Sequence, residues 1–314
     1  MTNRPAAAYA SVLVATLVWG TLHPIGKLIL LEATATQLAL ARALLPAIVL
    51  TVALVLAGRS HLLRAEIARR PATIVGLGLL SFSLSSGLSM AGLALLPASI
   101  SSLLANTSPL MLAIGLVAGS WRWPSAGMIV GLAIGFGGVA ILVVRPDAAH
   151  GALEPAGVVL SLAGSACWAI YTGWSRQVLS DADPLVLTAL SASAGAVPLF
   201  ILTIMRGEAA GMASLSERTL VLILYAGVVG TAVTYALWLT ALRRLSATNV
   251  IAFQYVIPLT SVTIAVAVLG EPIDARLVAG GLAILVGVAI AQEMDWPRRL
   301  TRRLVSSRRR IDAG

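Results

Sequence analysis

The chain has 314 residues, of which 58% are hydrophobic and only 11% are charged, and its mean hydropathy is +0.93. Soluble domains carry about 25% charged residues, so this composition excludes a soluble globular protein and predicts a polytopic membrane protein. The net charge of +9 does not indicate a nucleic-acid partner, because seven of the 22 basic residues lie in the tail from Arg298 to Arg310 and most others lie between apolar segments.

Ten segments are long and apolar enough to cross a bilayer, whose hydrocarbon core takes about 20 helical residues. Their apolar runs are continuous rather than alternating, so membrane helices are predicted and a barrel is not. The first segment is too long for a removable signal peptide, and we interpret it as an uncleaved span. In chain order the predicted spans are 8–30, 36–57, 72–93, 98–119, 124–144, 156–178, 184–205, 218–240, 246–269 and 273–292.

The basic residues set the predicted orientation, because cytoplasmic loops of membrane proteins carry an excess of lysine and arginine. With the N-terminus in the cytoplasm, 16 basic residues face the cytoplasm and four face outside. Both termini are therefore predicted to be cytoplasmic, in a multi-pass protein of the inner membrane. The basic tail 297–314 is predicted to lie on the anionic inner leaflet as an amphipathic helix.

The sequence repeats itself at an offset of 149 residues. Matches of proline and tryptophan at one offset, without a gap across five spans, are stronger than chance similarity between apolar helices. The repeat fails in the second and seventh spans, where Arg42 aligns with Ser191 and Pro46 aligns with Gly195. Because each copy has five spans, the two copies must lie inverted in the membrane, with predicted boundaries 1–147 and 148–296. The matching pairs include Trp19 and Trp168, Gly78 and Gly227, Pro109 and Pro258, Gly131 and Gly280, and Gly138 and Gly287.

Four features carry a resemblance to a known family: VWGTLHPIGK at 18–27, LGEP at 269–272, the glycine-rich fifth and tenth spans, and the five-plus-five duplication. With them the chain resembles the drug/metabolite transporter superfamily in its ten-helix EamA-type branch, and is similar to bacterial exporters of amino acids, aromatic ones included. The resemblance implies a cavity walled by spans one, three, four, six, eight and nine, with five and ten as scaffold. Glu271 of LGEP aligns with Arg122, so the glutamate that such proteins often carry in both halves is missing from the first.

Polar and aromatic side chains interrupt the spans that would surround this cavity. The fourth span carries serine, asparagine and threonine just before Pro109, and the ninth repeats the pattern with Gln254 before Pro258. A proline inside a helix frees a backbone carbonyl, so Pro24, Pro109 and Pro258 are predicted helix hinges. The predicted substrate-binding residues are Trp19, His23, Ser86, Asn106, Trp168, Tyr171, Tyr235, Trp238 and Gln254.

Three patterns leave two interpretations open. His23 either takes part in a protonation-linked step or stays neutral and hydrogen-bonds a carbonyl freed by Pro24. Lys27 and Arg42 are expected to extend toward the membrane interface, and the alternative is that they bind a substrate carboxylate. The small-residue faces of spans five and ten either pack together within one chain, which we prefer, or form a dimer interface, so a monomer is expected and a dimer stays open.

These patterns predict a secondary transporter of small organic metabolites that works by alternating access through a central cavity. Amino acids, including aromatic and hydrophobic ones, are the predicted substrates, and export is the predicted direction. A vitamin, sugar, nucleoside or drug-like compound is the alternative, and a membrane assembly protein is a further one. No enzyme, metal site or cofactor is expected, because the single cysteine Cys167 and His23 lack the partners that such sites need. The expected partners are the substrate and the bilayer, with no nucleic acid.

Overall fold

A computed structural model of the protein describes residues 4–112, 114, 126–143, 153–245, 250 and 253–293. Every regular element in these ranges is helical, which confirms the predicted all-α fold. The predictions made for the basic tail 297–314, for the boundary at residue 147 and for Arg122 lie outside the described residues.

The described helices follow the predicted spans. Six are long and apolar enough to cross a membrane, and three shorter apolar helices lie in the predicted fifth, ninth and tenth spans. The predicted fourth span is described only as far as residue 114, so the count of ten stays a prediction. The helices are α1 (Arg4–Ile29), α2 (Ala35–Leu56), α3 (Ser60–Arg69), α4 (Pro71–Leu95), α5 (Ala98–Ala105), α6 (Ala126–Val143), α7 (Pro155–Val178), α8 (Pro184–Met205), α9 (Glu217–Arg244), α10 (Val256–Leu269) and α11 (Ala275–Glu293).

Local sequence signals set the ends of α2 and α8. Thr34 begins α2 with a capping box, in which it accepts a hydrogen bond from the backbone N–H of Gln37 at 3.1 Å and its own N–H donates to the Gln37 side chain at 2.8 Å. Asp183 begins α8 by accepting hydrogen bonds from backbone N–H groups of the first turn. Gly58 and Gly207 follow the two helices with φ of 70° and 68°, the left-handed conformation in which many helices end.

Helices from the two halves of the chain pack against each other in pairs. The helix α6 packs along α11, α2 along α8, and α4 along α7, while α1 packs against α9 and α10. Between α6 and α11 the backbones come close, because Gly138 lies against Gly280 and Gly287 lies against Gly131. The small-residue faces of these two helices therefore meet within one chain, which is the interpretation preferred from the sequence.

Large apolar side chains cover the outward surface of the bundle. Ile48, Val197 and Phe200 are each about half exposed, at 51%, 57% and 52%. In water such a surface would be costly, whereas lipid tails are as apolar as the side chains themselves. This surface is therefore the one that faces the bilayer.

Polar contacts tie the two halves of the chain together at the C-terminal end of α2. Arg59 pairs with Asp183 at 2.6 Å, and Arg69 and Arg70 both pair with Asp181. We call these five residues the arginine clasp. The hydrogen bond donated by Arg70 lowers the pKa of Asp181, and the positive charge of Arg69 acts in the same direction.

A second set of contacts, the glutamate clasp, lies at the N-terminal end of α2. It joins Glu32 to Ser216 and Thr34 to Glu208, in both cases by hydrogen bonds of 2.8 Å. The backbone hydrogen bond from Ser216 lowers the pKa of Glu32. Opposite ends of the bundle are thus held by residues at equivalent sequence positions. At the offset of 149, Glu32 corresponds to Asp181, Thr34 to Asp183, and Arg59 to Glu208.

Candidate functional site

A cavity lies between α1, α2, α4, α7, α9 and the segments that surround the ends of α5 and α10. Its volume is about 130 Å³, counted as the space open to the centres of water molecules. One water needs about 10–15 Å³ on this measure, so the cavity has room for roughly ten waters or one small organic molecule. The six spans expected to wall the cavity all contribute to it, and span two contributes as well.

Seven of the nine predicted binding residues line this cavity. They are Trp19, His23, Ser86, Asn106, Trp168, Tyr235 and Gln254. The other two, Tyr171 and Trp238, are each only 1% exposed and lie behind the wall. Tyr171 packs on Trp168 with ring centroids 5.2 Å apart, and Trp238 packs on Trp19 at 5.0 Å. These two residues support the aromatic side of the cavity rather than face its interior.

Three aromatic rings form one side of the cavity. Trp19 meets Trp168 edge to face at 5.8 Å and Tyr235 at 5.9 Å, and Trp168 meets Tyr235 at 5.5 Å. Such arrangements are worth about 0.5–1.5 kcal/mol per pair beyond area burial. The hydroxyl groups of Tyr235 and Ser81 lie 3.0 Å apart and hydrogen-bond, which fixes the ring. Phe82, which the sequence did not single out, backs Tyr235 at 5.0 Å.

Two π-helical segments lie beside the cavity, and the first brings the hydroxyl groups of Ser81 and Ser85 to its wall. They span Leu79–Ser85 in α4 and Tyr225–Val233 in α9. A π turn displaces backbone carbonyls from the regular ladder, and in α9 the carbonyl of Ala226 accepts a hydrogen bond from the Thr231 hydroxyl at 2.8 Å. Ser85, in the π segment of α4, donates instead to the carbonyl of Gly164 in α7 at 2.9 Å. Segments of this kind occur frequently at functional sites.

The helices on either side of Pro109 and Pro258 are interrupted just before each proline. The chain turns at Asn106 and Thr107 before it becomes helical again, and the 3₁₀ segment Phe253–Tyr255 precedes α10. Both prolines therefore sit in the first turn of a new helix, where a missing N–H costs nothing. These breaks place Asn106 and Gln254 on the cavity wall. Pro24, in contrast, lies inside the continuous helix α1.

Arg42 lies on the cavity wall, which corrects the expectation that it extends to the membrane interface. It is seven residues into α2, about 10 Å from the start of that helix. Its Nε lies 3.4 Å from Oγ1 of Thr231 in the middle of α9, and its Nη1 lies 3.6 Å from Sδ of Met90. The guanidinium therefore turns inward. The failed match between Arg42 and Ser191 in the repeat was the sequence signal that set this position apart.

Lys27 and Glu271 lie away from the cavity. Lys27 donates to the carbonyl of Ala94 at 3.3 Å, near the end of α4, as expected for a side chain that extends toward the interface. Glu271 accepts hydrogen bonds from the N–H groups of Ala98 and Ser99 at 2.6 and 3.0 Å. A carboxylate at a helix N-terminus satisfies free donors there, so Glu271 holds the start of α5 in place.

Comparison with known proteins now identifies the family. Residues 155–291 match the model of the EamA-like transporter family. Over this stretch the chain has the sequence of an EamA-type membrane transporter. An "Uncharacterized transporter YvbV" of Bacillus subtilis is 27% identical to it over 278 residues, which cover 87% of this chain and 88% of the relative. An "Uncharacterized transporter" of Archaeoglobus fulgidus is 28% identical over 60% of this chain and 64% of its own.

A solved crystal structure shares the fold of this chain. It superposes with a TM-score of 0.63 at 18% sequence identity, over 94% of this chain and 99% of the other. The family match and the related transporters, not this structure, confirm the resemblance to the drug/metabolite transporter superfamily that was drawn from the sequence motifs. With its match to the EamA-like transporter family and its apolar helices of spanning length, the chain is a multi-pass membrane protein.

Proposed function

We propose that this EamA-type transporter is a secondary transporter that exports small organic metabolites, chiefly amino acids with aromatic or other apolar side chains. The observation that carries the proposal is the composition of the cavity. One side consists of the rings of Trp19, Trp168 and Tyr235, and the rest offers hydroxyl, amide and imidazole groups. Sites that accept amphipathic molecules combine apolar walls with a few hydrogen-bond partners in this way.

Transport would proceed by alternating access between two inverted repeats, residues 1–147 and 148–296. Three features support this mechanism: helices that pair across the two halves, helix breaks at equivalent positions, and clasps at opposite ends of α2. A cavity between two halves that are tied at both ends can open to either side when one clasp loosens. Pro24 lies one residue from His23 within α1, so a bend there would move a side chain of the cavity wall.

We further propose that the protein works as a monomer in the inner membrane. Both termini would be cytoplasmic, and the tail 297–314 would lie on the anionic inner leaflet. The excess of basic residues on one side supports this orientation. The contact between α6 and α11 uses their small-residue faces within the chain, which leaves those faces unavailable for a dimer.

Counterflow into proteoliposomes tests the proposal. Purified protein is reconstituted with unlabelled phenylalanine inside, and entry of labelled phenylalanine is measured against protein-free vesicles and against vesicles loaded with a vitamin or a sugar. We expect labelled phenylalanine to enter only vesicles that contain the protein and an amino acid. Transport of a vitamin or sugar without amino acids would overturn the substrate, and transport of nothing would overturn the proposal.

The direction of transport is tested in cells. If the protein exports amino acids, cells that overproduce it should tolerate a toxic phenylalanine analogue better than cells that carry an empty vector. Greater sensitivity of the overproducing cells would mean that the protein imports the analogue, and the direction would have to be reversed.

A further inference from the structure

We infer that Arg42 binds the carboxylate of an aromatic substrate, so that the cavity selects aromatic acids by their negative charge. This inference rests on the proposed transport function and narrows its substrate class. Arg42 is a cation that lies on the cavity wall and has no counter-ion among the described residues.

Arginines at the ends of helices form ion pairs in the described chain, among them Arg59, Arg69, Arg70 and Arg206. None of these ion pairs includes Arg42. The described wall of the cavity also contains no aspartate or glutamate. Arg42 instead makes long contacts of 3.4 and 3.6 Å to a neutral hydroxyl and a thioether. A guanidinium away from water is costly unless an anion pairs with it, and a substrate carboxylate would supply that anion.

Two further groups near Arg42 have unused hydrogen-bonding capacity. Nδ1 of His23 and Oγ of Ser86 are buried and have no partner within the described structure, and both residues line the cavity. Ser86 precedes Met90 by one helical turn, and Met90 is itself in contact with Arg42. A serine hydroxyl and an imidazole N–H can both donate to a carboxylate oxygen. The three helices α1, α2 and α4 therefore bring possible donors to the same wall.

The spacing of the cavity fits a molecule with one ring and one carboxylate. Along α1, His23 follows Trp19 by one turn, and along α9, Thr231 precedes Tyr235 by one turn. Since Trp19 contacts Tyr235, the level of His23 and Arg42 lies about 5.4 Å from the level of the aromatic rings. A substrate whose ring packs among Trp19, Trp168 and Tyr235 can thus place a carboxylate on a short linker against Arg42.

The same wall offers little to an isolated amine. An ammonium group would find the amide oxygens of Asn106 and Gln254 as neutral acceptors, and it would be repelled by Arg42. The negative group should therefore dominate recognition. An aromatic acid without an amine should bind as well as an aromatic amino acid, and an aromatic amine without a carboxylate should bind poorly.

Competition among three matched compounds tests this inference. Counterflow of labelled phenylalanine is measured in the presence of 3-phenylpropionate, which keeps the carboxylate, or phenethylamine, which keeps the amine. We expect 3-phenylpropionate to compete and phenethylamine to compete at least about tenfold less well. In Arg42→Gln the affinity for phenylalanine and 3-phenylpropionate should fall about tenfold or more, because a charge-assisted hydrogen bond is lost. Lys27→Gln removes a cation that does not line the cavity and should change neither value.

Binding without transport separates this inference from the proposed function. A change in tryptophan fluorescence on addition of either compound measures binding even if no counterflow occurs, because two of the seven tryptophans, Trp19 and Trp168, line the cavity. The inference would be overturned if phenethylamine bound as well as 3-phenylpropionate or better. It would also be overturned if neither compound bound. Undiminished affinity of Arg42→Gln for 3-phenylpropionate would overturn it as well. If Arg42→Gln does not fold, Arg42→Lys should keep the preference for the acid, and the acid-to-amine ratio of the unaltered protein decides the question alone.

Discussion

Trp19 and Trp168 lie 149 residues apart in the chain, and their rings meet edge to face with centroids 5.8 Å apart. In the predicted two-fold arrangement of the two halves, residues at equivalent positions can touch only close to the axis. The pair therefore marks the place where the first half of the chain meets the second in the centre of the bundle. Both rings line the cavity, so a substrate that enters it contacts both halves at once.

Truncation of Trp168 should weaken the binding of aromatic substrates. Trp168→Ala removes one ring contact, worth about 0.5–1.5 kcal/mol, so the KM for phenylalanine should rise roughly twofold to tenfold. Trp168→Phe keeps an aromatic face and should show a smaller change. Trp174→Ala serves as the control, because the Trp174 ring lies against Gly76 and does not line the cavity. An equal rise in KM for Trp174→Ala would mean that both effects come from the packing of α7.

Neighbouring glycines on α6 provide a matched pair for the contact between α6 and α11. A Cβ atom on Gly138 would lie 2.7 Å from the carbonyl oxygen of Gly280, whereas a Cβ on Gly137 would meet nothing within 4 Å. Gly138→Ala should therefore destabilise the protein by about 1–3 kcal/mol, as overpacking does, whereas Gly137→Ala should stabilise it by up to about 1 kcal/mol because alanine is the better helix former. Thermal unfolding of the purified variants measures the difference. Equal unfolding temperatures would show that the two helices can separate at no cost.

The sequence predicted most of the fold because apolar runs of spanning length leave a membrane protein few choices. Continuous helices satisfy the backbone in lipid, and their order and approximate ends follow from hydropathy and from caps such as Thr34 and Asp183. The π-helical segments were not predicted. Hinges were predicted at Pro109 and Pro258, but the sequence did not indicate that each helix is interrupted just before its proline. Both features depend on local side-chain hydrogen bonds, such as the one that Thr231 donates to the carbonyl of Ala226, and hydropathy carries no such information.

The candidate site was predicted less completely, for a geometric reason. The sequence gives the depth of a residue along its span, but the direction of its side chain depends on how each helix is rotated against its neighbours. Arg42 was expected to extend outward and instead turns toward Thr231. Tyr171 and Trp238 were expected on the wall and lie one layer behind it. In each case the depth was predictable and the rotation was not.

Asp183 has two roles that two substitutions can separate. It caps α8, and it pairs with Arg59 at 2.6 Å. Asp183→Asn should keep the cap and lose only an ion pair of about 0.2–1 kcal/mol, because asparagine is a good N-cap residue. Asp183→Ala should also lose about 0.5–2 kcal/mol of capping. Thermal unfolding should therefore rank the unaltered protein above Asp183→Asn and Asp183→Ala last, and the reverse order of the two variants would exclude a capping role.

The arginine clasp should make part of the protein's stability dependent on pH. The pKa of Asp181 is lowered from its ordinary value of 3.8, first by the hydrogen bond from Arg70. A carboxyl group with a lowered pKa in the folded state stabilises the protein above its unfolded pKa, and this contribution is lost as the pH falls through the folded pKa. Asp181→Asn should thus lower the unfolding temperature at pH near 7, and the difference should shrink below pH 3.8. In an Arg70→Gln background the difference should be reduced at neutral pH, and an undiminished difference would mean that Arg70 is not the partner that matters.

Cysteine labelling tests the predicted orientation. Cys167 is the single cysteine of the chain, so Cys167→Ser gives a background without thiols. His61 in α3 and Ser214, just before α9, are both exposed and are separated by five predicted spans, so they should lie on opposite sides of the membrane. In intact cells a membrane-impermeant maleimide should label Ser214→Cys and leave His61→Cys unlabelled until the membrane is opened. The excess of basic residues around His61 is the physical reason for placing it in the cytoplasm. Labelling of both positions in intact cells, or of neither, would show that an even number of spans separates them, and the inverted arrangement of the two halves would then have to be abandoned.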